Sequence, residues 1–143
     1  IYILNTLAKE LNIKIVFSVH PRTHLRMQQF KIKLSKKIIL VKPLGFIDFL
    51  NLEINSKFLI TDSGTVQEEA SILNKPCLVF RDSTERPETV ESGNAIIVNK
   101  KTKSLSNIKD FINNYKSSES IKEYTIPNVS QIVNNIINSD LKT

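Results

Sequence analysis

The alternation of short apolar runs with amphipathic segments is the feature that most constrains the fold of this chain. The apolar runs are rich in β-branched residues and predict five strands, at Ile13–Val19, Ile38–Val41, Lys57–Thr61, Cys77–Phe80 and Ala95–Val98. Helical spacing of apolar residues predicts helices over residues 1–12, between Thr23 and Lys33, and at Phe46–Leu52, Thr65–Leu73, Pro87–Glu91, Leu105–Tyr115 and Val129–Leu141. Strands that alternate with helices and are apolar on both faces form parallel sheets covered on each side. The predicted fold class is α/β with a doubly wound, Rossmann-like parallel sheet.

Length and composition limit the kinds of protein that this chain can form. A chain of 143 residues suits a single domain over residues 1–143, and a hydrophobic content of 41% supplies a core. A single Cys excludes an internal disulfide framework and, without a Cys/His cluster, a structural zinc site. We therefore expect a reducing, cytoplasmic location. No stretch approaches the roughly 18 apolar residues of a membrane helix, so no membrane partner is expected.

The net charge of +6 is carried mainly by lysines that are spread along the chain. This pattern is typical of a solvated surface, and no aromatic RNA-binding signature accompanies it, so no nucleic-acid partner is expected. The four arginines, in contrast, occur in only two loop-like stretches, HPRTHLR and RDSTER. Guanidinium groups suit bidentate recognition of phosphate or carboxylate. The arginine positions favour a small anionic ligand.

The loop after the third strand has the sequence of an anion site. Phe58–Ala70, FLITDSGTVQEEA, runs from a strand through Asp62, Ser63 and Gly64 directly into a helix. In doubly wound folds ligands bind beyond the carboxyl ends of the strands, where free N–H groups of a helix start favour phosphate. Ser63 offers a hydroxyl, and Gly64 lets the backbone approach closely. The same pair is also an ordinary helix cap, so both interpretations stay open.

The loop after the fourth strand, RDSTERPE, is densely charged. One interpretation is an ion-pair network that pins the loop. The other is that Arg81 or Arg86 faces the anion of the preceding loop, oriented by Glu85 or Glu88.

Other chemistry-bearing residues carry weaker signals. Glu68 and Glu69 either stabilise the start of their helix or accept hydrogen bonds from ribose hydroxyls. His20 is more typical of a hydrogen-bonded structural residue than of a catalyst, and Pro21 between His20 and His24 disfavours a metal pair. Cys77 begins a buried strand and is expected to be a core residue. We predict no metal site.

Three stretches resemble the C-terminal half of non-hydrolysing UDP-N-acetylglucosamine 2-epimerases. They are HPRT, KPLGFIDFL and TDSGTVQEEASILNKPCLVFRDSTERPETVESG. The resemblance covers about Ile13 to Val98. It implies that the chain is the UDP-binding, C-terminal half of a GT-B fold, in which two Rossmann-like domains face a cleft. It also implies interconversion of UDP-N-acetylglucosamine and UDP-N-acetylmannosamine, by elimination of UDP across sugar carbons 1 and 2 and re-addition with inverted configuration at carbon 2.

The resemblance also implies roles for individual residues. Ser63 and Gly64 would contact the diphosphate, and Arg86 would contact a phosphate. Glu69 would contact the ribose hydroxyls, and the backbone near Phe49 would contact the uracil. His20 would lie near the substrate cleft as the candidate catalytic residue. Thr65 stands where the family often has a second Gly, so its β-carbon would face the phosphate region. No cofactor is implied, because protein groups can stabilise the leaving diphosphate.

In the resembling family the acid and base carboxylates come from the N-terminal domain, and the sequence begins after the family's usual His-Arg-Arg-Glu stretch. We therefore expect the chain to need an N-terminal partner segment for its UDP-sugar substrate. When isolated, it should bind UDP weakly and not epimerise the UDP-sugar. Two alternatives use the same loops: the nucleotide-sugar-binding half of a GT-B glycosyltransferase, and an inactive remnant. A homo-oligomer is also left open.

Overall fold

The computed structural model describes residues 1–99, 104–116 and 121–140. Its strands are β1 (Ile15–Ser18), β2 (Ile38–Val41), β3 (Leu59–Thr61), β4 (Cys77–Val79) and β5 (Ala95–Ile97). Its α-helices are α1 (Tyr2–Glu10), α2 (Pro21–Gln29), α3 (Phe46–Ile54), α4 (Gly64–Ile72), α5 (Pro87–Glu91), α6 (Leu105–Asn114) and α7 (Val129–Asp140), and a 3-10 helix spans Lys122–Tyr124. The predicted order of strands and helices is confirmed. The predicted helix end at Leu141 lies outside the described residues.

Helix α2 differs most from its prediction, because it begins earlier and ends earlier than expected. Pro21 is its first residue, where the fixed φ of proline suits a helix and its missing N–H is not needed. The chain leaves the helix near Lys31, whose φ of 48° lies in the left-handed region.

Every strand pair in the structure is parallel, which confirms the α/β class. The described strands form two hydrogen-bonded sheets, one of β1 and β2 and one in the order β3-β4-β5. In this part of the chain no strand joins β1 to β3, so the prediction of a single continuous sheet is replaced by two sheets.

Helices cover both faces of the β3-β4-β5 sheet, as in a doubly wound fold. Successive side chains of a strand point to opposite faces. Leu78 of β4 packs in a buried cluster with Leu7 of α1 and Ile108 of α6. Its neighbours in β4, Cys77 and Val79, pack instead with Ala70 of α4. Strand β4 is therefore buried on both sides, whereas β1 and β2 expose Val16 and Ile39. Within each sheet the parallel arrangement brings the carboxyl ends of the strands to one edge.

No helix in the described ranges is long and apolar enough to cross a membrane.

Candidate anion site at the start of helix α4

Helix α4 begins directly after β3, and its first turn has backbone donors available for a ligand. Ser63 is the N-cap residue, with an extended backbone (φ −94°, ψ 136°), and its side chain makes no capping hydrogen bond. Its own N–H donates to Oγ1 of Thr61 at 2.9 Å. The first N–H groups of a helix have no intrahelical acceptor and carry the positive end of the helix dipole. The start of α4 can therefore accept an anion.

Arg86 brings a positive side chain to the same place. A β-carbon added at Gly64 would lie 3.9 Å from Cζ of Arg86 and 4.0 Å from its Nη2. The guanidinium therefore faces the first residue of α4 across the space that a larger side chain at Gly64 would enter. Backbone donors and a guanidinium that converge on one space form a suitable environment for a phosphate group.

Contacts with α4 and with its own loop fix the position of this guanidinium. Nε of Arg86 forms an ion pair with Glu68, in the second turn of α4. Nη1 of Arg86 donates to the backbone oxygen of Glu85 at 3.1 Å. Glu68 raises the pKa of Arg86 further above its ordinary value, so the side chain is held as a cation.

The neighbouring charged residues are arranged differently from the prediction, which had Glu85 or Glu88 orient the arginine at the anion. The Glu85 carboxylate instead binds Arg81 through two contacts, at 2.5 and 2.9 Å. The Glu88 carboxylate accepts a hydrogen bond from the hydroxyl of Tyr124. Arg81 therefore belongs to an ion pair within the loop, as the first interpretation predicts, and Arg86 faces α4. That Arg86 contacts an anion there stays a prediction.

A second set of contacts pins the loop to α4 through residues that the sequence did not single out. Thr84 donates from Oγ1 to Oε1 of Gln67 at 2.6 Å and accepts from the N–H of Arg86 at 3.0 Å. Gln67 is fully buried and also donates to the backbone oxygen of Ser63 at 3.1 Å. The feature of the sequence that could have identified Gln67 is a glutamine on the buried face of a helix. The network couples the two loops that form the site.

The structure reveals another residue that the sequence reasoning missed, the buried carboxylate of Glu53 in α3. Glu53 is only 1% exposed, and neither carboxylate oxygen has a hydrogen-bond partner in the described parts of the chain. Burial, together with the nearby carboxylate of Glu69, raises the pKa of Glu53 from 4.5 to about 7. The signal in the sequence was a glutamate among the apolar residues of α3.

A cavity of about 720 Å³ lies beside the site, between β1 and β3. Phe49 and Glu53 of α3 and Val66 of α4 line it, together with Asp62 at the end of β3. The structure therefore brings Phe49 close to the loop that carries Ser63. Thr65 is the second residue of α4 and is exposed.

His20 occupies a different position in the fold, after β1. It is exposed and acts as the N-cap of α2, where its Nδ1 accepts from the N–H of Arg22 at 3.3 Å. None of the described hydrogen bonds links it to Ser63 or Arg86. The structure thus shows His20 in a capping role.

Nε2 of His24 pairs with Gln28 at 3.1 Å. Within the described residues no three His, Cys, Asp or Glu side chains are grouped so that they could hold a metal ion.

Comparison with known proteins identifies the family of this chain. Residues 1–138 match the model of the UDP-N-acetylglucosamine 2-epimerase family. The chain belongs to this family. Among curated relatives, it is 53% identical over 88 residues to the UDP-N-acetylglucosamine 2-epimerase of Methanocaldococcus jannaschii, covering 59% of this chain and 24% of that protein. A Methanococcus maripaludis relative of the same name is 42% identical over 98 residues, covering 66% of this chain and 27% of that protein.

Solved structures of epimerases extend the similarity to almost the whole chain. The M. jannaschii UDP-GlcNAc 2-epimerase in complex with UDP-GlcNAc and UDP is 37% identical, with a TM-score of 0.77, covering 96% of this chain and 39% of that one. The co-structure of S. aureus MnaA with UDP is 30% identical, with a TM-score of 0.79, covering 98% of this chain and 40% of that one. The chain therefore spans about two fifths of these epimerases, whose fold family is GT-B, and about a quarter of the curated relatives.

Proposed function

We propose that this chain is the UDP-binding part of a UDP-N-acetylglucosamine 2-epimerase, with residues 1–143 forming one Rossmann-like domain. The observation that carries this proposal is the guanidinium of Arg86 facing Gly64 at the start of α4. Together with family membership, this contact favours a diphosphate as the ligand of the site.

In this proposal the diphosphate lies between the first turn of α4 and Arg86. The N–H groups of Gly64 and Thr65 and the hydroxyl of Ser63 donate to phosphate oxygens, and Arg86 contributes a charge-assisted contact from the opposite side. Gly64 matters because it lacks a β-carbon, so the phosphate can approach the backbone. The β-carbon of Thr65 borders this space and shapes it.

The nucleoside extends from the diphosphate along α4 and α3. Glu69 accepts hydrogen bonds from the ribose hydroxyls, and the backbone near Phe49 contacts the uracil. The position of Phe49 on the cavity wall beside Asp62 supports this direction, because Asp62 immediately precedes the proposed diphosphate site.

The chemical contribution of this domain is to stabilise a leaving group. In the proposed reaction a base removes the proton at sugar carbon 2 while the bond from carbon 1 to the UDP oxygen breaks, leaving an unsaturated sugar and UDP. UDP then adds back to carbon 1, and a proton is delivered to the other face of carbon 2. Fixed donors aimed at the departing diphosphate lower this barrier because they stabilise charge that develops in the transition state.

The groups that move the carbon-bound proton are assigned to the part of the epimerase that this chain does not cover. General acid and base catalysis requires groups within hydrogen-bond reach of the sugar. His20 is proposed to lie near the substrate cleft, at the carboxyl end of β1. The isolated chain is therefore expected to bind UDP weakly and not to epimerise the UDP-sugar.

Calorimetric titration of UDP into the chain tests the binding site. We expect Arg86→Ala to weaken binding by about 10- to 100-fold, in line with the loss of a hydrogen bond to a charged group. Ser63→Ala should give a smaller loss. Arg81→Ala is the matched control, because Arg81 pairs with Glu85 in the same loop. Uridine without phosphates should bind all variants equally. If both Ser63→Ala and Arg86→Ala bound UDP with wild-type affinity, the assigned site would be refuted.

A complete two-domain protein tests the reaction. Incubation with UDP-N-acetylglucosamine and no acceptor should yield UDP-N-acetylmannosamine. A requirement for an acceptor sugar would instead indicate the glycosyltransferase alternative.

A further inference from the structure

The guanidinium of Arg86 has one nitrogen that is left for a ligand. Its Nε pairs with Glu68, and its Nη1 donates to the backbone oxygen of Glu85 at 3.1 Å. Within the described ranges Nη2 has no hydrogen-bond acceptor, and this atom lies 4.0 Å from the position of a β-carbon added at Gly64. The proposed diphosphate would therefore bind mainly through Nη2. This donor is available only as long as no carboxylate of the protein binds it.

Glu88 is the carboxylate that can compete with a phosphate for this nitrogen. It lies two residues beyond Arg86, in the first turn of α5. The other carboxylates beside Arg86 already have partners, since Glu68 is bound to Nε and Glu85 is bound to another arginine. A hydrogen bond from Tyr124 and, to a smaller extent, the charge of Arg86 lower the pKa of Glu88. Glu88 is therefore ionised at neutral pH and lies near the guanidinium.

The hydroxyl of Tyr124 occupies the carboxylate of Glu88. It donates to Oε1 of Glu88, which lies 36 residues earlier in the chain. Hydrogen bonds from a hydroxyl to an ionised carboxylate are among the stronger ones in proteins. The ion pair of Arg86 in the described part of the chain is with Glu68 and not with Glu88. The tyrosine therefore gives Glu88 a donor other than Arg86.

The turn that carries Tyr124 fixes the position of its hydroxyl. Tyr124 is the last residue of the 3-10 helix Lys122–Tyr124, and its N–H donates to the backbone oxygen of Ile121 at 3.0 Å. Ile121 is a buried core residue and anchors the turn to the domain. Tyr124 itself is half-buried. The hydroxyl is therefore held at one place beside α5.

Two separate donors serve the two carboxylates of this cluster. Glu68 of α4 receives Nε of Arg86, and Glu88 of α5 receives the hydroxyl of Tyr124. This distribution leaves Nη2 of Arg86 directed at the start of α4. Without the tyrosine hydroxyl, Glu88 would lose its donor, and Arg86 is the cation whose charge acts on it. The expected result is an ion pair between Glu88 and Arg86 that occupies the free nitrogen.

We propose that Tyr124 is a positioning residue of the diphosphate site: its hydroxyl binds the carboxylate of Glu88 and thereby keeps Glu88 from pairing with Arg86 in place of the phosphate. The inference rests on the proposed function, because that function assigns the diphosphate to Arg86. Tyr124 acts through Glu88 and does not touch the ligand. The turn at Lys122–Tyr124 therefore contributes to nucleotide affinity, although it lies outside the two loops that form the site.

Calorimetric titration of UDP tests this inference in four forms of the 143-residue chain: wild type, Tyr124→Phe, Glu88→Gln and the double variant. We expect Tyr124→Phe to weaken binding about three- to fivefold, the size of a part-exposed ion pair that UDP would have to break. Glu88→Gln should change the affinity of the otherwise wild-type chain by less than about twofold, because its exposed charge is screened. In the Tyr124→Phe background the same substitution should restore the affinity. This difference between backgrounds measures the coupling of the two residues.

Tyr115→Phe is the matched control for the loss of a bonded tyrosine hydroxyl. The hydroxyl of Tyr115 accepts a hydrogen bond from Asn94 at 2.8 Å, at the amino end of β5 and therefore at the opposite edge of the sheet from the site. Its removal should leave the affinity for UDP unchanged. Uridine without phosphates should bind all variants equally, which shows that the nucleoside part of the site is folded in each of them.

The Nε–H resonance of Arg86 in the ligand-free chain gives a measurement that does not depend on UDP. It is assigned by its absence from the spectrum of Arg86→Ala. We expect Tyr124→Phe to shift this resonance, because Glu88 then pairs with the guanidinium. Glu88→Gln in the same background should return the resonance toward its wild-type position. The phenylalanine variant keeps the aromatic ring, so its packing is retained.

Distinct outcomes would overturn the inference and the proposed function. If Arg86→Ala weakens UDP binding and Tyr124→Phe does not, the inference is wrong and the proposed function stands. If Glu88→Gln has the same effect in both backgrounds, Glu88 acts only through its charge and the inference is wrong. An Nε resonance that does not move in Tyr124→Phe would also overturn it. If Arg86→Ala binds UDP as the wild type does, the proposed function fails, and the inference fails with it.

Discussion

Glu68 forms an ion pair with Nε of Arg86, 18 residues further along the chain, and this contact holds the guanidinium beside Gly64 at the start of α4. The arrangement places a carboxylate behind the arginine and leaves the other side of the guanidinium toward the proposed phosphate. Glu68 is therefore a positioning residue for Arg86.

Glu68→Gln should lower the affinity for UDP by about three- to tenfold, because Arg86 loses a charged partner worth of the order of 1 kcal/mol for positioning. The free energy of unfolding should change by less than about 1 kcal/mol, since both side chains of the pair are about a third exposed. Calorimetry with UDP and urea unfolding measure the two effects. An unchanged affinity for UDP would show that Arg86 does not depend on Glu68.

Gly64→Ala should separate folding from binding. The added β-carbon would meet Cζ of Arg86 at 3.9 Å, an ordinary van der Waals distance, so the fold should be retained. Replacing glycine where its conformation is open to other residues stabilises a chain by about 0.4–1 kcal/mol. The methyl group would nevertheless occupy the space assigned to the phosphate, and we expect at least tenfold weaker UDP binding by calorimetry. Tight UDP binding by a folded Gly64→Ala variant would place the phosphate elsewhere.

Glu53 should make stability depend on pH. The pKa of Glu53 is about 7 in the folded chain, compared with an ordinary value of 4.5. Between pH 4.5 and pH 7 the folded state therefore binds more protons than the unfolded state. Stability should therefore fall as pH rises from about 4.5 to 7, by up to about 3 kcal/mol at about 1.4 kcal/mol per pH unit. The comparison of wild type with Glu53→Gln in urea at pH 5 and pH 8 isolates this group. The variant should be the more stable protein at pH 8, and a pH-independent difference between the two would contradict the prediction.

Cys77 should be inert in the folded chain. It is fully buried in β4, and burial, with a smaller effect from Glu53, raises the pKa of its thiol to about 12. The reactive thiolate is therefore scarce and inaccessible at neutral pH. Labelling with a chromogenic disulfide reagent should proceed only at the rate at which the chain unfolds, and should become rapid in urea. Rapid labelling of the folded chain would show that β4 opens locally.

The secondary structure could be predicted because its signals are local. The apolar run at Cys77–Phe80 and the turn before it identify β4 within one residue of its observed end. Pro87 and Gly93 likewise mark the region of α5. The free backbone donors at the start of α4 could also be predicted, because a strand followed by Ser-Gly and a helix creates them in any context. That they bind an anion stays a prediction.

The partners of charged side chains could not be predicted from sequence spacing. Glu85 and Glu88 are nearest to Arg86 along the chain, yet Glu68 holds its Nε, because α4 and the loop after β4 meet only in the folded molecule. The buried state of Glu53 and its proximity to Glu69, 16 residues further along the chain, likewise arise only in the folded molecule.

The sequence by itself determined the order of strands and helices, the parallel α/β class and the glycine at the start of α4, since periodicity and backbone conformation act over a few residues. Only the tertiary structure decided that Arg86 rather than Arg81 faces α4, that the strands divide into two sheets, and that a cavity with a buried carboxylate lies between them. These features depend on contacts between residues far apart in the chain, and the energies of such contacts are set by distance and solvent exclusion in three dimensions.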